Sequence, residues 1–229
     1  MNATSKHEQS TFAGMGDDDL GPGHMVARVS AAAIKLVFPF AATQDIRFYL
    51  NGVNIRPLED GSVMVVASDG HRIIVVRDPN GYAEREMIVR VDKDALKHAA
   101  NAKHTFDVMS NGMAMFSGEV AQPLFIQPGN SVIDGAFPRV ERIISTIGYR
   151  EGIHGPVNPS YLTDALTIAK SFGNSIRFFT RDADSPLNFV LGGLGDLECF
   201  AGIMKLRDNF DVLPRWFPLP GAPDNLGEI

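Results

Sequence analysis

From Met25 onward, apolar and polar positions fall into short alternating runs and short helical stripes whose order repeats along the chain. Met25 to Val29 reads as an opening strand. Ser30 can cap the alanine-rich stretch that follows, and Pro39 must stop it, because proline lacks the amide that a helix interior needs. Alternation then predicts strands near 46–55, 62–67 and 72–77. The order recurs with a strand from Met87 to Val91, a helix capped by Asp92, and strands near 105–110, 113–117 and 122–127. Asn111-Gly112 supplies the positive-φ step of a tight hairpin within this second round. The third helix has the clearest ends, with Asn158 to cap it, Pro159 at its first turn and Gly173 beyond its last. Tyr161, Leu162, Ala165, Leu166, Ile168 and Ala169 form its apolar stripe, and strands near 176–180, 187–192 and 198–205 complete the round. The pattern predicts an α+β protein of three β-α-β-β-β units.

The two ends depart from this pattern. Residues 1–24 carry no period and many breakers, and are expected to form a flexible arm; 207–229 is a proline-rich tail that cannot continue a sheet. With 229 residues, 45% of them hydrophobic, the chain is large enough to bury one or two cores. A net charge of −6 argues against tight gripping of nucleic acid, although it leaves room for a local basic surface. Cys199 is the single cysteine and so has no intramolecular partner; the start of the chain lacks the apolar core of a secretory signal, and no run approaches the roughly 20 apolar residues of a membrane span. A cytoplasmic protein is expected.

Residues 45–76, DIRFYLNGVNIRPLEDGSVMVVASDGHRIIVV, couple an alternating run ending in Leu50-Asn51-Gly52 to a second one closed by Ser68-Asp69-Gly70-His71-Arg72. Asp69-Gly70 is first of all a turn. His71 and Arg72 beside Asp69 are residue types that serve acid-base or metal chemistry, but no further His, Cys or carboxylate stands nearby at ligand spacing. No nucleophile-base set or phosphate loop appears elsewhere either, so a non-enzymatic protein without metal or cofactor is expected.

Taken together, the strand, the spacing, the turn and the following apolar strand resemble the middle domain of the bacterial sliding clamp, the beta subunit of DNA polymerase III. The resemblance implies the clamp fold, with helices on one face and antiparallel sheets on the other. It also implies a complete domain over 25–138, a linker over 139–148 and half of the clamp's last domain, its second half, over 149–206. In clamps an apolar pocket between the middle and last domains receives short linear peptides from polymerases, loaders and repair proteins. The matching positions here are Leu50, Ser68, Gly70, His71, Arg72 and Ile73 around the turn, and Pro138, Arg142 and Ile143 in the segment Asp134-Gly-Ala-Phe-Pro-Arg-Val-Glu-Arg-Ile-Ile. Phe200, Gly202, Met204 and Lys205 follow in the last strand, with Gly202 standing where a larger apolar residue is usual, a change that should deepen or loosen one subsite. For any one apolar position an ordinary core role is the simpler reading; the set with its turn points to a pocket.

The implied function is that of a processivity factor that tethers a polymerase or repair partner to duplex DNA. Lys35, Lys93, Lys97, Lys103 and Lys170 on the helices would touch phosphate weakly and without reading sequence, or else form ordinary solvated faces. The unpaired third unit should expose apolar helix and sheet surface, and so favours a homo-oligomer, a dimer or a tetramer, with that unit paired across a twofold axis. The alternative function is an adaptor or competitor, of the kind a phage or mobile element carries, that binds clamp-binding peptides and never encircles DNA. In the tail, Leu213, Trp216 and Phe217 loosely resemble such peptides, against the simpler reading of a tail packed on the outer sheet.

Overall fold

The computed structural model describes residues 23–207, except 102, 128, 143–147, 149, 153–154, 173–174 and 183–184. The chain begins with β1 (Met25–Ser30) and α1 (Ala31–Val37), then β2 (Val53–Pro57), β3 (Val63–Ser68), β4 (Arg72–Asp78) and the short β5 (Tyr82–Ala83). A second round gives β6 (Met87–Val89), a 3-10 helix (Lys93–Ala100), β7 (Thr105–Met109), β8 (Ala114–Ser117), β9 (Pro123–Ile126) and β10 (Val132–Ile133). The third comprises β11 (Arg150–Glu151), α2 (Pro159–Phe172), β12 (Ser175–Thr180), β13 (Leu187–Gly192) and β14 (Glu198–Ile203).

The caps act as their residue types predict. The Ser30 hydroxyl accepts from the Ala32 amide at 3.3 Å, the Asp92 carboxylate from Asp94 at 2.8 Å, and the Asn158 side chain from Ser160 at 3.0 Å. Gly112 adopts φ +81° between β7 and β8, as the hairpin requires. The expected C-cap Gly173 lies outside the described residues, as do most of the N-terminal arm, half of the linker and the tail beyond Arg207.

Two expectations change. The run over 46–52 is not a strand: the Asn51 side chain accepts from the Asp45 amide and donates to the Asp45 carbonyl, both at 2.8 Å, and closes a loop in which Phe48–Asn51 forms a 3-10 turn. Local side-chain bonds outcompete the sheet there, and β2 starts only at Val53. The second unit's helix is 3-10 rather than α, which leaves Lys93 and Lys97 about a third of a turn apart.

Among the described residues the strands form two sheets, ordered β5-β1-β7-β8-β9 and β10-β6-β2-β3-β4-β14-β13-β12-β11. The first two units exchange their opening strands: β1 pairs antiparallel with β7, and β6 with β2. The third unit joins the second sheet through β14, paired with β4 from Glu198 opposite Arg77 to Ile203 opposite Arg72. One apolar core therefore runs from Val29, Ile34, Phe106 and Phe116 through β3 and β4 to Ala165, Ile168 and Phe189.

The expected exposed apolar surface on the third unit is largely absent. In the described part of 150–207, only Leu166, Met204 and Leu206 are exposed large apolar residues, because the shared sheet and α2 cover the rest. β3 explains the next level. Its residues alternate sides, with Val63, Val65 and Ala67 facing the main core, while Met64 and Val66 join Leu50, Ile73, Ile88, Phe137 and Val140 in a smaller cluster. That second layer comes from the 3-10 turn and from residues 134–142, which Arg56 secures by an ion pair with Glu141.

Candidate peptide-binding site

At the edge of this outer layer lies a cavity of about 230 Å³ where β4, β14 and the 3-10 turn meet. Its apolar floor comprises Leu50, Ile73 and Phe137, each buried, and Met204 stands half exposed at the rim. The turn between β3 and β4 forms one wall. Asp69 Oδ1 accepts from the amides of His71 at 2.9 Å and Arg72 at 3.0 Å; the Ser68 hydroxyl donates to the Arg72 carbonyl at 2.8 Å and accepts from Gly70 at 3.1 Å. These bonds within the turn hold the wall in place before any ligand arrives. Gly70 sits at φ +88°, and a Cβ there would lie 2.6 Å from the Arg47 guanidinium laid across it.

The opposite wall is fixed to the turn by the Met204 amide, which donates to the His71 carbonyl at 2.8 Å. Gly202 lies between Ile73 on one neighbouring strand and Asn188 on the other. A Cβ at Gly202 would meet Asn188 Oδ1 at 3.0 Å and Ile73 at 3.6 Å, so the missing side chain keeps this part of the cavity open.

Arg72 holds the corner together. Its guanidinium donates to Asp69 at 2.9 Å, to Asp164 of α2 at 2.5 Å and to the Pro39 carbonyl at 2.8 Å, and stacks over the rings of Phe40 and Tyr161 at 4.9 and 4.5 Å. These partners leave little of Arg72 for a ligand. Arg47 is the more available cation at the mouth, 43% exposed beside Asp45, whose carboxyl its guanidinium lowers to about 2.

Of the residues expected from sequence, Leu50, Ser68, Gly70, His71, Arg72, Ile73, Pro138, Gly202 and Met204 line this one cavity. Phe200 and Lys205 do not. Phe200 lies two residues further along β14, opposite Val75 and Val190, and Lys205 Nζ donates to the Asp182 carbonyl at 2.8 Å and to Thr180 Oγ1 at 3.2 Å. Ile143 and the side chain of Arg142 lie outside the described residues. Arg47, Tyr49, Phe137, Pro186 and Asn188 line the cavity without having been anticipated.

The expected DNA-facing lysines are placed unevenly. Lys93, Lys97, Lys103 and Lys170 are exposed, Lys103 in a surface pair with Glu119 at 3.2 Å, whereas Lys35 is half-buried over the Phe172 ring at 5.1 Å. A second, larger cavity of about 370 Å³ lies near Arg28, Asp78, Lys103 and Asp196, but its charged groups are committed to one another or to neighbours, as in Arg28 to Asp107 at 2.7 Å. Among the described residues no three His, Cys, Asp or Glu side chains gather as metal ligands would, and no helix is long and apolar enough to cross a membrane.

No protein-family model matches the sequence, and no curated protein matches it. Solved structures do match. The DNA polymerase III subunit beta of Pseudomonas aeruginosa superposes with a TM-score of 0.61 at 17% identity, over 84% of this chain and 69% of its own. A sliding clamp of the same organism bound to griselimycin gives 0.56 at 17% identity, covering 84% and 68%. Caulobacter crescentus pol III beta gives 0.57 at 18% identity, covering 86% and 69%. The chain has the sliding-clamp fold and spans about 70% of the length of these clamps.

Proposed function

We propose that the chain is a processivity factor of the sliding-clamp kind, which holds replication or repair proteins on DNA by capturing a short linear segment of them in the cavity between Leu50, His71 and Met204. It performs no chemistry and needs no cofactor. The carrying observation is that three noncontiguous stretches, 47–50, 68–73 and 202–204, converge with Phe137 and Pro138 on one preformed apolar slot in a clamp fold. Each apolar anchor buried there contributes about 1.5–3 kcal/mol before the costs of ordering the peptide, which suits reversible exchange of partners. His71 and the Arg47 guanidinium at the mouth would orient the peptide backbone and any acidic side chain.

Lys93, Lys97 and Lys170, exposed on the helical segments, would provide the weak, salt-sensitive phosphate contacts that sliding needs. A homo-oligomer, dimer or tetramer, would close the ring through the end strands of the sheets. The deciding experiment loads the chain onto nicked circular DNA. Retention that is lost when the circle is linearised supports encirclement. Griselimycin or polymerase-peptide binding without such retention supports the second reading, an adaptor, which the placement of Lys35 over the Phe172 ring favours.

A further inference from the structure

The slot does not end at its mouth. Eight large apolar residues are exposed among the described residues, and four of them, Ile46, Phe48, Met204 and Leu206, lie on the two segments that flank the cavity. Ile46 is 96% exposed and Phe48 56%, on either side of Arg47, which lines the cavity, and the Phe48 ring lies 5.9 Å from that of Tyr49, another lining residue. No Asp or Glu lines the cavity, whereas Arg47 and His71 do. The surface fits an extended segment with large apolar side chains and acidic neighbours.

The described part of the chain ends at this very place. Met204 lines the rim, and the Leu206 amide is still held by the Pro156 carbonyl at 2.9 Å. Residues 208–229 follow, outside the described residues. They contain Asp208, Asp211, Asp224 and Glu228 against one basic residue, Arg215, and concentrate Leu213, Trp216, Phe217 and Leu219 among four prolines. Twelve chain steps from Met204 to Trp216 reach at most about 40 Å, more than enough to fold back over the mouth. Proline fixes φ, so such a segment loses less entropy on docking than an unrestricted one.

We infer that the segment from Asp208 to Pro220 docks intramolecularly on the Ile46–Phe48 ledge and in the mouth of the same chain's cavity, with Leu213 and Trp216 as anchors. This rests on the proposed peptide-binding role and adds its regulation: the tail is a tethered competitor that incoming partners displace. A tether of this length holds the tail at about millimolar effective concentration. A tail of weak intrinsic affinity, about 0.1 mM, is then docked about nine-tenths of the time and weakens external ligands about tenfold.

Trp216 is the only tryptophan, so its fluorescence reports the tail alone in the full chain. Docking predicts blue-shifted emission and slow acrylamide quenching, relative to a synthetic peptide of residues 208–229, at every protein concentration. Met204→Glu, an exposed rim substitution, should return both to the free-peptide values, while Ile126→Glu on the distant β9 edge should not. The double variant Leu213→Ala/Trp216→Ala should bind griselimycin about tenfold more tightly than the parent chain. Peptide-like emission in the parent overturns the inference. So does protection that Met204→Glu leaves intact, or that appears only at high protein concentration. Griselimycin binding of equal strength in parent and double variant also removes the tail's role and leaves the peptide-binding reading standing, whereas absence of binding in both defeats the two together.

Discussion

Arg72 donates to Asp164 at 2.5 Å, and so joins the turn that walls the cavity to the helix of the third unit. The contact is one of three polar bonds on a guanidinium that is 10% exposed, while Asp164 is 44% exposed. Removing Asp164 leaves Arg72 held by Asp69 and Pro39, so Asp164→Ala should cost only about 1 kcal/mol. Arg72→Met strands Asp69 and the Pro39 carbonyl at a packed corner and should cost about 3 kcal/mol. Chemical denaturation of the two variants checks this ordering, and equal costs would refute the keystone role given to Arg72.

Gly202 should be a pocket residue by virtue of what it lacks. Gly202→Val places methyl groups against Asn188 and Ile73 and into the slot, where a Cβ already lies 3.0 Å from the nearest atom. Stability should fall by about 1 kcal/mol, as mild overpacking does. Binding of a polymerase-derived peptide, followed by fluorescence anisotropy, should fall by about tenfold, equivalent to about 1.4 kcal/mol. Unaltered peptide affinity would mean that ligands do not use this part of the cavity.

How much of this was legible in the sequence depends on which interaction decides each position. Ser30, Asp92 and Asn158 mark their caps because capping is local, and β7–β8 is visible because Asn111-Gly112 sets its own turn. The 45–51 loop was not legible from apolar alternation, since the reciprocal bonds of Asp45 and Asn51 override it. Tyr49, on the 3-10 turn that carries Leu50, and Arg47, at the start of that turn, were within reach, and so was Phe137, which precedes Pro138. Pro186 and Asn188 were not: they reach the slot only because β13 pairs with β14 and β14 with β4, a sheet order that no local pattern encodes.

Asp45 provides a pH probe of the mouth. Its carboxyl is lowered to about 2 by hydrogen bonds from the Arg47 side chain and backbone. A depressed carboxyl contributes stability that is present above the ordinary aspartate value, about 3.9, and is lost as pH falls through about 2. Carbon-detected NMR titration should place the Asp45 midpoint near 2, with Arg47 released over the same range. A midpoint near 4 would mean that Arg47 does not hold this carboxylate in solution.

Cys199 reports on the shared sheet. It is buried in β14 between β4 and β13, and burial pushes its thiol up to about 12. An aromatic disulfide reagent at pH 8 should therefore label it only as β14 opens, with full labelling in denaturant. Fast labelling of the native chain would show that the third unit detaches readily from the first.

The proposed function requires Leu50, the His71 turn and Met204 to form one slot for a partner's linear segment. Titration of a polymerase-derived peptide into the isotope-labelled full chain, followed by NMR shift mapping, tests it most directly. The shifts should concentrate at 47–50, 68–73, 137–138 and 202–204, and Met204→Glu should suppress them. Saturable shifts located elsewhere, or none at millimolar peptide, would contradict it.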